Sequence, residues 1–320
     1  MEATKHAGST KDAVKTPASA WTAYWNGRFV PDQEIHISPW DRGFIMGDSA
    51  YEATRTFRHI PFHLDWHLDR LFNTLTYMQL DPRLTRAELE VVTLEVLKRN
   101  RGNLRPHDDV VLTHRITRGE FGGSFASSAA PPTVFIGCRP LGFARFARYY
   151  TEGLQVEIPS IRVPVAGGID PRIKTHNRLL LTLGHVQVGH LRPDVVPLLL
   201  DVDGHVTESS AANIHYVVDG GLATPPDEAG LEGITRRIVL SLAAKLGIPV
   251  TRRRMHRDEL RSVQEAMVTA TSYSILPVCR LDGRPLSPVP GPVTAKLIAA
   301  FSDYAGLDIV QQSRLHAAGT

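Results

Sequence analysis

A two-domain α+β chain is what this sequence predicts. Helical and alternating apolar patterns interleave along its length, periodicity lapses once around residues 139–152, and 320 residues suffice for two cores. Hydrophobic residues make up 42% and charged residues 22%, as in ordinary soluble proteins, and the net charge is +3. The arginine-rich stretch 251–261 (TRRRMHRDELR) mixes in acids without aromatics, so it reads as a solvated face, and no nucleic-acid partner is expected. The two cysteines, Cys138 and Cys279, cannot build a disulfide framework or a cysteine-rich zinc site, and they fit a reducing cytoplasm. No run of about 18 apolar residues occurs, so no membrane span is expected. Residues 1–20 lack the apolar stretch of a signal peptide and read as a flexible tail.

Globular patterning begins at Trp21. Asn26-Gly27 between strand-like residues is a type I′ hairpin signal. Leu64, Leu68, Leu71, Phe72, Leu75 and Met78 fall at helical spacing. Thr85 and Glu88 form a capping box that opens a second helix. Residues 109–119 and 133–138 read as strands and complete a domain spanning 21–140. A linker is expected over 141–152, a larger domain over 153–310 and a C-terminal tail over 311–320. Within the larger domain, residues 154–163 are strand-like, and a helix runs to about His190. A hairpin turns at Asp203-Gly204, and a strand with its turn follows over 212–225. A helix over 233–247 stops at Gly247. Residues 264–278 form a strand entering a polar turn, and 291–306 a last helix.

The chemistry starts from the lysines. The chain has seven, against 29 arginines. Lys98 and Lys245 sit near helix C-termini, and Lys296 suits an amphipathic surface. Lys174 alone stands in a Gly/Pro-marked loop just before an apolar run. A desolvated amine there would have a lowered pKa, as an imine-forming lysine requires, although a structural lysine fits the same pattern. Gly233 directly precedes a helix whose first N–H groups have no intrahelical partner, and Thr235 adds a hydroxyl. The hydroxyl-rich turn TATSYS (269–274) is a second candidate phosphate cradle. Glu208 ends a strand and is followed by small residues that let another body approach, so its carboxylate is either solvent-facing or aimed at a protonated heterocycle. His63 and His67, four apart on a helix, lack an evident third ligand, so no metal is expected and both read as surface or interdomain residues.

Lys174, Glu208 in VTESSAAN, GITRR (233–237) and TATSYSILPV (269–278) occur in this order. With DRGFIMGDSAYEATRTF (41–57) and HLDRLF (67–72), the chain resembles the class IV, fold type IV pyridoxal-phosphate-dependent aminotransferases over about residues 21–310. That family includes branched-chain and D-amino acid aminotransferases, (R)-amine transaminases and aminodeoxychorismate lyases. The resemblance implies a small α/β domain followed by a larger pseudo-barrel domain, and a homodimer whose pocket is partly lined by the neighbouring subunit. Lys174 would carry pyridoxal 5′-phosphate as an imine and shuttle the substrate proton. Glu208 would pair with the ring nitrogen. Arg70 would hold the phosphate bidentately, together with the amides of Ile234 and Thr235 and the Thr271-Ser272 turn. Leu231 would pack on the ring, and Tyr51 would line the substrate pocket.

The reaction expected is ping-pong transfer of an amino group from an apolar, branched-chain-like amino acid to a 2-oxo acid. Phe44, Met46, Tyr51 and Phe121 supply the apolar character. Three departures bear on substrate. The arginine that branched-chain enzymes carry early in the strand before the TRG turn is Thr113 here. The Arg-x-His trap of D-amino acid enzymes is replaced by GEFGGSF (119–125). The tyrosine five residues after the lysine is Leu179, while Asn177 resembles the D-amino acid and lyase branch. Arg115, on the same strand face as Thr113, is therefore expected to supply a displaced carboxylate contact. D-amino acid or (R)-amine transamination, lyase action and a non-catalytic cofactor-binding scaffold are the alternatives.

Overall fold

A computed structural model describes residues 21–105, 108–123, 125, 130–164, 168–190 and 194–317. The tail expected over 1–20 lies outside them. The first half comprises β1 (Thr22–Trp25), β2 (Arg28–Pro31), α1 (Arg42–Met46), β3 (Ser49–Phe57), β4 (Ile60–Pro61), α2 (Leu64–Tyr77), α3 (Arg86–Asn100), β5 (Val110–Thr117) and β6 (Thr133–Pro140). Asn26 and Gly27 both adopt positive φ, 47° and 91°, which the primed hairpin turn between β1 and β2 needs. These strands form an antiparallel sheet ordered β2-β1-β6-β5-β3-β4. Helix α2 lays buried Leu64, Leu68, Leu71 and Leu75 on the sheet. Helix α3 opens with the expected Thr85–Glu88 capping box.

The second half comprises α4 (Tyr149–Glu152), β7 (Leu154–Glu157), β8 (Arg162–Val163), α5 (Leu179–Gly189), β9 (Val195–Asp201), β10 (Val206–Ser209), β11 (Asn213–Val218), β12 (Gly221–Thr224), α6 (Ile234–Lys245), β13 (Val250–Arg252), β14 (Glu265–Ala270), β15 (Ser274–Leu281), β16 (Arg284–Pro285), α7 (Pro292–Ala305) and α8 (Ile309–Ala317). The larger sheet, ordered β10-β9-β7-β15-β14-β11-β12-β13, curls into a half-barrel. Its core gathers Ile214, Tyr216, Val268 and Leu276 from strands with Val239 and Leu297 from helices. No described helix is long and apolar enough to cross a membrane.

The residues that join the two halves, 141–152, pack Leu141, Phe143, Phe146 and Tyr150 into the larger core. One expectation needs correction: residues 311–317 are not a tail. They belong to α8, where Ile309 and Ser313 are buried and Gln312 reaches Arg55 and Asp109. A short amphipathic helix with few apolar residues shows weak periodicity, and tertiary contacts define it.

The segment around Lys174 joins the two halves. The Tyr51 N–H donates to the Lys174 carbonyl at 3.1 Å, and the His176 N–H donates to the Ser49 carbonyl at 3.1 Å. Ala50 and Thr175 form the antiparallel bridge between these bonds. The Lys174 loop is thus a short extra partner for β3, and from α2 Thr74 Oγ1 accepts the Lys174 N–H at 3.2 Å.

Candidate active site

Between the half-barrel and β3 lies a cavity of about 210 Å³ whose lining includes Tyr51, Arg70, Lys174, Arg178, Glu208 and Thr235. A second cavity of about 380 Å³ meets it along Lys174, Arg178, Glu208 and Leu231. The Lys174 amine lies 4.4 Å from the centre of the Tyr51 ring. Burial, helped by the positive charges of Arg70 and Arg178, pushes its pKa down to about 8. A substantial fraction of the amine is therefore neutral near pH 7 to 8, the form that attacks a carbonyl. Burial pushes the Glu208 carboxyl upward, opposed by the Leu231 N–H that donates to it and by Arg178 and Lys174. That amide lies 3.0 Å from Glu208 Oε2. A cation arriving at this carboxylate would offset the desolvation that now disfavours its charge.

At the far end of the cavity, Gly233 is the N-cap of α6 and no side chain caps it. The amides of Ile234 and Thr235 therefore suit an anion. A Cβ at position 233 would collide with Asn213 Oδ1, and Asn213 Nδ2 donates to the Leu231 carbonyl at 2.7 Å. The glycine thus lets the chain reverse tightly over Asn213 before the helix starts. Thr271 and Ser272 form the turn between β14 and β15 and line the same cavity. The Ser272 carbonyl accepts from Arg55 Nη1 at 3.0 Å, which holds the turn from its outer side.

Arg70 lines the cavity, but its guanidinium is already engaged. Its Nε and Nη2 donate to the two carboxylate oxygens of Glu52, at 2.9 and 2.7 Å, and Nη1 donates to the Glu232 carbonyl at 2.8 Å. The paired edge of the fork thus faces protein, and a phosphate would meet only the remaining N–H groups. A bidentate Arg70 grip on phosphate would therefore use the second N–H of Nη1 and of Nη2. Burial pushes the Glu52 carboxyl up, but Arg70 and His67 together hold it well below the usual carboxylate range. His67 is itself buried on Glu52 at 3.0 Å, so it is an interior residue rather than a surface one.

Two expected substrate contacts lie apart from the cavity. Phe44 is 71% exposed on α1, which begins at the Asp41 N-cap and turns this side chain outward, and it lines neither cavity. Arg115 pairs with Tyr51 across β3 and β5, but its guanidinium lies 5.4 Å from the Phe135 ring centre and outside the cavity lining. The structure adds residues that sequence reading missed. Arg178 enters the cavity from the N-cap of α5, and His176 stacks on Tyr51 with ring centres 4.5 Å apart. Glu52 was detectable as the one acid inside a strand, β3, that otherwise carries a single charge, Arg55. Arg178 sat four residues beyond Lys174, but the loop-to-helix transition between them hid which way it points.

An imine-capable amine, a buried carboxylate across the cavity and an anion cradle beyond it fit a phosphorylated heterocyclic aldehyde. Residues 49–281 match the amino-transferase class IV family, and the chain belongs to that family. A Methanocaldococcus jannaschii protein designated a candidate branched-chain-amino-acid aminotransferase is 32% identical over 283 residues, 88% of this chain and 95% of that one. The branched-chain aminotransferase of Thermoproteus uzoniensis, solved with norvaline, superposes with TM-score 0.80 at 26% identity over 89% of this chain and 95% of that chain. The T.th. branched-chain amino acid aminotransferase with pyridoxamine 5′-phosphate also gives TM-score 0.80 at 26% identity, over 90% of this chain and 95% of that chain. Other relatives are named as an aminodeoxychorismate lyase and a D-alanine aminotransferase, at 28% and 27% identity. The fold is fold type IV, and the enzyme class is that of pyridoxal-phosphate-dependent aminotransferases.

Proposed function

We propose that this enzyme transfers the amino group of an apolar amino acid to a 2-oxo acid, with pyridoxal 5′-phosphate held on Lys174. When bound, the cofactor supplies an electron sink for the pair of electrons left at the substrate Cα. Lys174 would hold it covalently, and its amine, neutral in part near pH 8, would accept and return the proton at the substrate Cα. Glu208 keeps the ring nitrogen protonated. Ile234, Thr235, Thr271 and Ser272, with the free N–H groups of Arg70, receive the phosphate. Leu231 covers one face of the ring, and Tyr51 bounds the substrate side. The observation that carries this reading is Lys174, its pKa lowered to about 8, sharing one cavity with Glu208 and with Gly233 at the start of α6.

The chain is read as a cytoplasmic homodimer. Leu179 (68% exposed), Leu183 and Val186 form an uncovered apolar face of α5 beside the cavity mouth, and Trp40 and Phe44 form another. A second copy covering them would complete the pocket and give Phe44 a substrate contact in trans. A D-amino acid or lyase reading is favoured by Asn177 alone. Its Nδ2 donates to the Gly47 carbonyl at 3.1 Å, so it serves to tie two loops whatever the substrate.

The test combines labelling with a donor panel. Borohydride reduction of the holoenzyme should place the cofactor on Lys174, and Lys174→Ala should abolish the label and lower kcat by at least about 1,000-fold. L-leucine, D-alanine and (R)-1-phenylethylamine, each with pyruvate or 2-oxoglutarate, should show L-leucine as the preferred donor. Faster turnover of D-alanine would replace this substrate assignment with the D-specific one.

A further inference from the structure

We propose that Arg178 receives the α-carboxylate of the amino donor and so determines that the enzyme takes amino acids rather than simple amines. This rests on the cofactor reading above. A donor bound for reaction places its amino group at Lys174, with a carboxylate one carbon away, and that anion needs a cation inside the cavity that no other acid has matched. Arg70 is chelated by Glu52. Arg55 donates to Ser272, Gln312 and Thr56 and lies beside Asp109. Arg236 is paired with Asp227 at 2.8 Å and donates to the Pro225 carbonyl. Arg115 lies outside the cavity lining, by Phe135.

Arg178 differs from all of these. It lines both cavities along the seam that contains Lys174, and among the described residues no carboxylate lies within ion-pair distance of it. Two neutral oxygens orient it: the Tyr51 hydroxyl, 2.5 Å from Nη1, and the Ser210 carbonyl, which accepts from Nη2. Further N–H groups on the same planar fork remain for an anion. The guanidinium carbon is 5.5 Å from the centre of the Tyr51 ring, and the Lys174 amine lies 4.4 Å from the same centre. One aromatic ring thus flanks both cations, as a substrate bearing adjacent amino and carboxylate groups requires. The Tyr51 hydroxyl accepts from Arg178 and still has its own proton to donate. Burial raises the Tyr51 pKa, which keeps that proton in place, and a carboxylate could then take one bond from each residue.

The test reads equilibrium binding to the holoenzyme, with hexanoate as an unreactive carboxylate probe and hexanol as its uncharged counterpart. Binding is followed by calorimetry and by the absorbance of the bound cofactor. Arg178→Met should weaken hexanoate by about 30-fold or more and leave hexanol within about 3-fold. Arg178→Lys keeps the charge without the fork and should weaken hexanoate by less, about 3- to 10-fold. Unchanged hexanoate affinity in Arg178→Met overturns the proposal. So does a variant whose cofactor absorbance shifts while hexanoate binds normally, since that pattern assigns Arg178 to the cofactor. A wild-type protein that neither acquires cofactor absorbance nor labels at Lys174 would sink the underlying reading, and this proposal with it.

Discussion

The chemistry of single residues here is governed by what surrounds their charges. Lys174 carries a lowered pKa, so its protonated form is penalised in the folded apo-protein but not in the unfolded chain. Lys174→Met should therefore stabilise the apo-protein. The gain is fully present below about pH 8 and closes as pH rises from about 8 toward 10.5, which chemical denaturation across that range would show. Glu52 behaves oppositely. Its carboxyl is held below the ordinary 4.5, so its contribution is present above that pH and lost as pH falls through the folded value. Glu52→Gln leaves Arg70 and His67 facing a neutral amide, and the expected loss near neutral pH is about 3 kcal/mol. Cofactor affinity should fall as well, because Arg70 would lose its orientation. An unchanged denaturation midpoint would contradict the Glu52 argument.

At the scale of elements, the start of α6 is the sharpest constraint. Gly233→Ala would drive a methyl group into Asn213, which holds the Leu231 carbonyl. The expected cost is about 1 to 3 kcal/mol, with weaker cofactor retention measured by dialysis and absorbance. This element was legible in the sequence, because a glycine before an apolar-periodic helix and a hydroxyl-rich strand end are local signals. The β1–β2 turn and the α3 capping box were legible for the same reason. Arg178, the Arg70–Glu52 pairing and α8 were not. Each is defined by a partner distant in sequence, and the direction of an arginine leaving a loop has no periodic signature. Phe44 lies outside this chain's own cavity, because an apolar residue near a motif says nothing about which way its helix faces.

On the scale of the whole molecule, the apolar faces left uncovered on α1 and α5 predict assembly. Leu183→Glu should shift the protein from dimer to monomer in analytical ultracentrifugation. Activity should fall with dissociation, because the mouth of the cavity opens beside α5. A monomeric wild-type protein with full activity would remove the proposed contribution of a second copy. The order of the fold, with one antiparallel sheet followed by a curled one, was readable from alternating patterns, whereas the way the two sheets enclose a cavity was not.

The backbone pairing of residues 49–51 with 174–176 also ties the state of one amine to the order of folding. Until those distant stretches meet, the side chain at 174 has the ordinary basicity of an exposed lysine. The burial that lowers its pKa to about 8 is thus acquired only when two stretches more than 120 residues apart have paired.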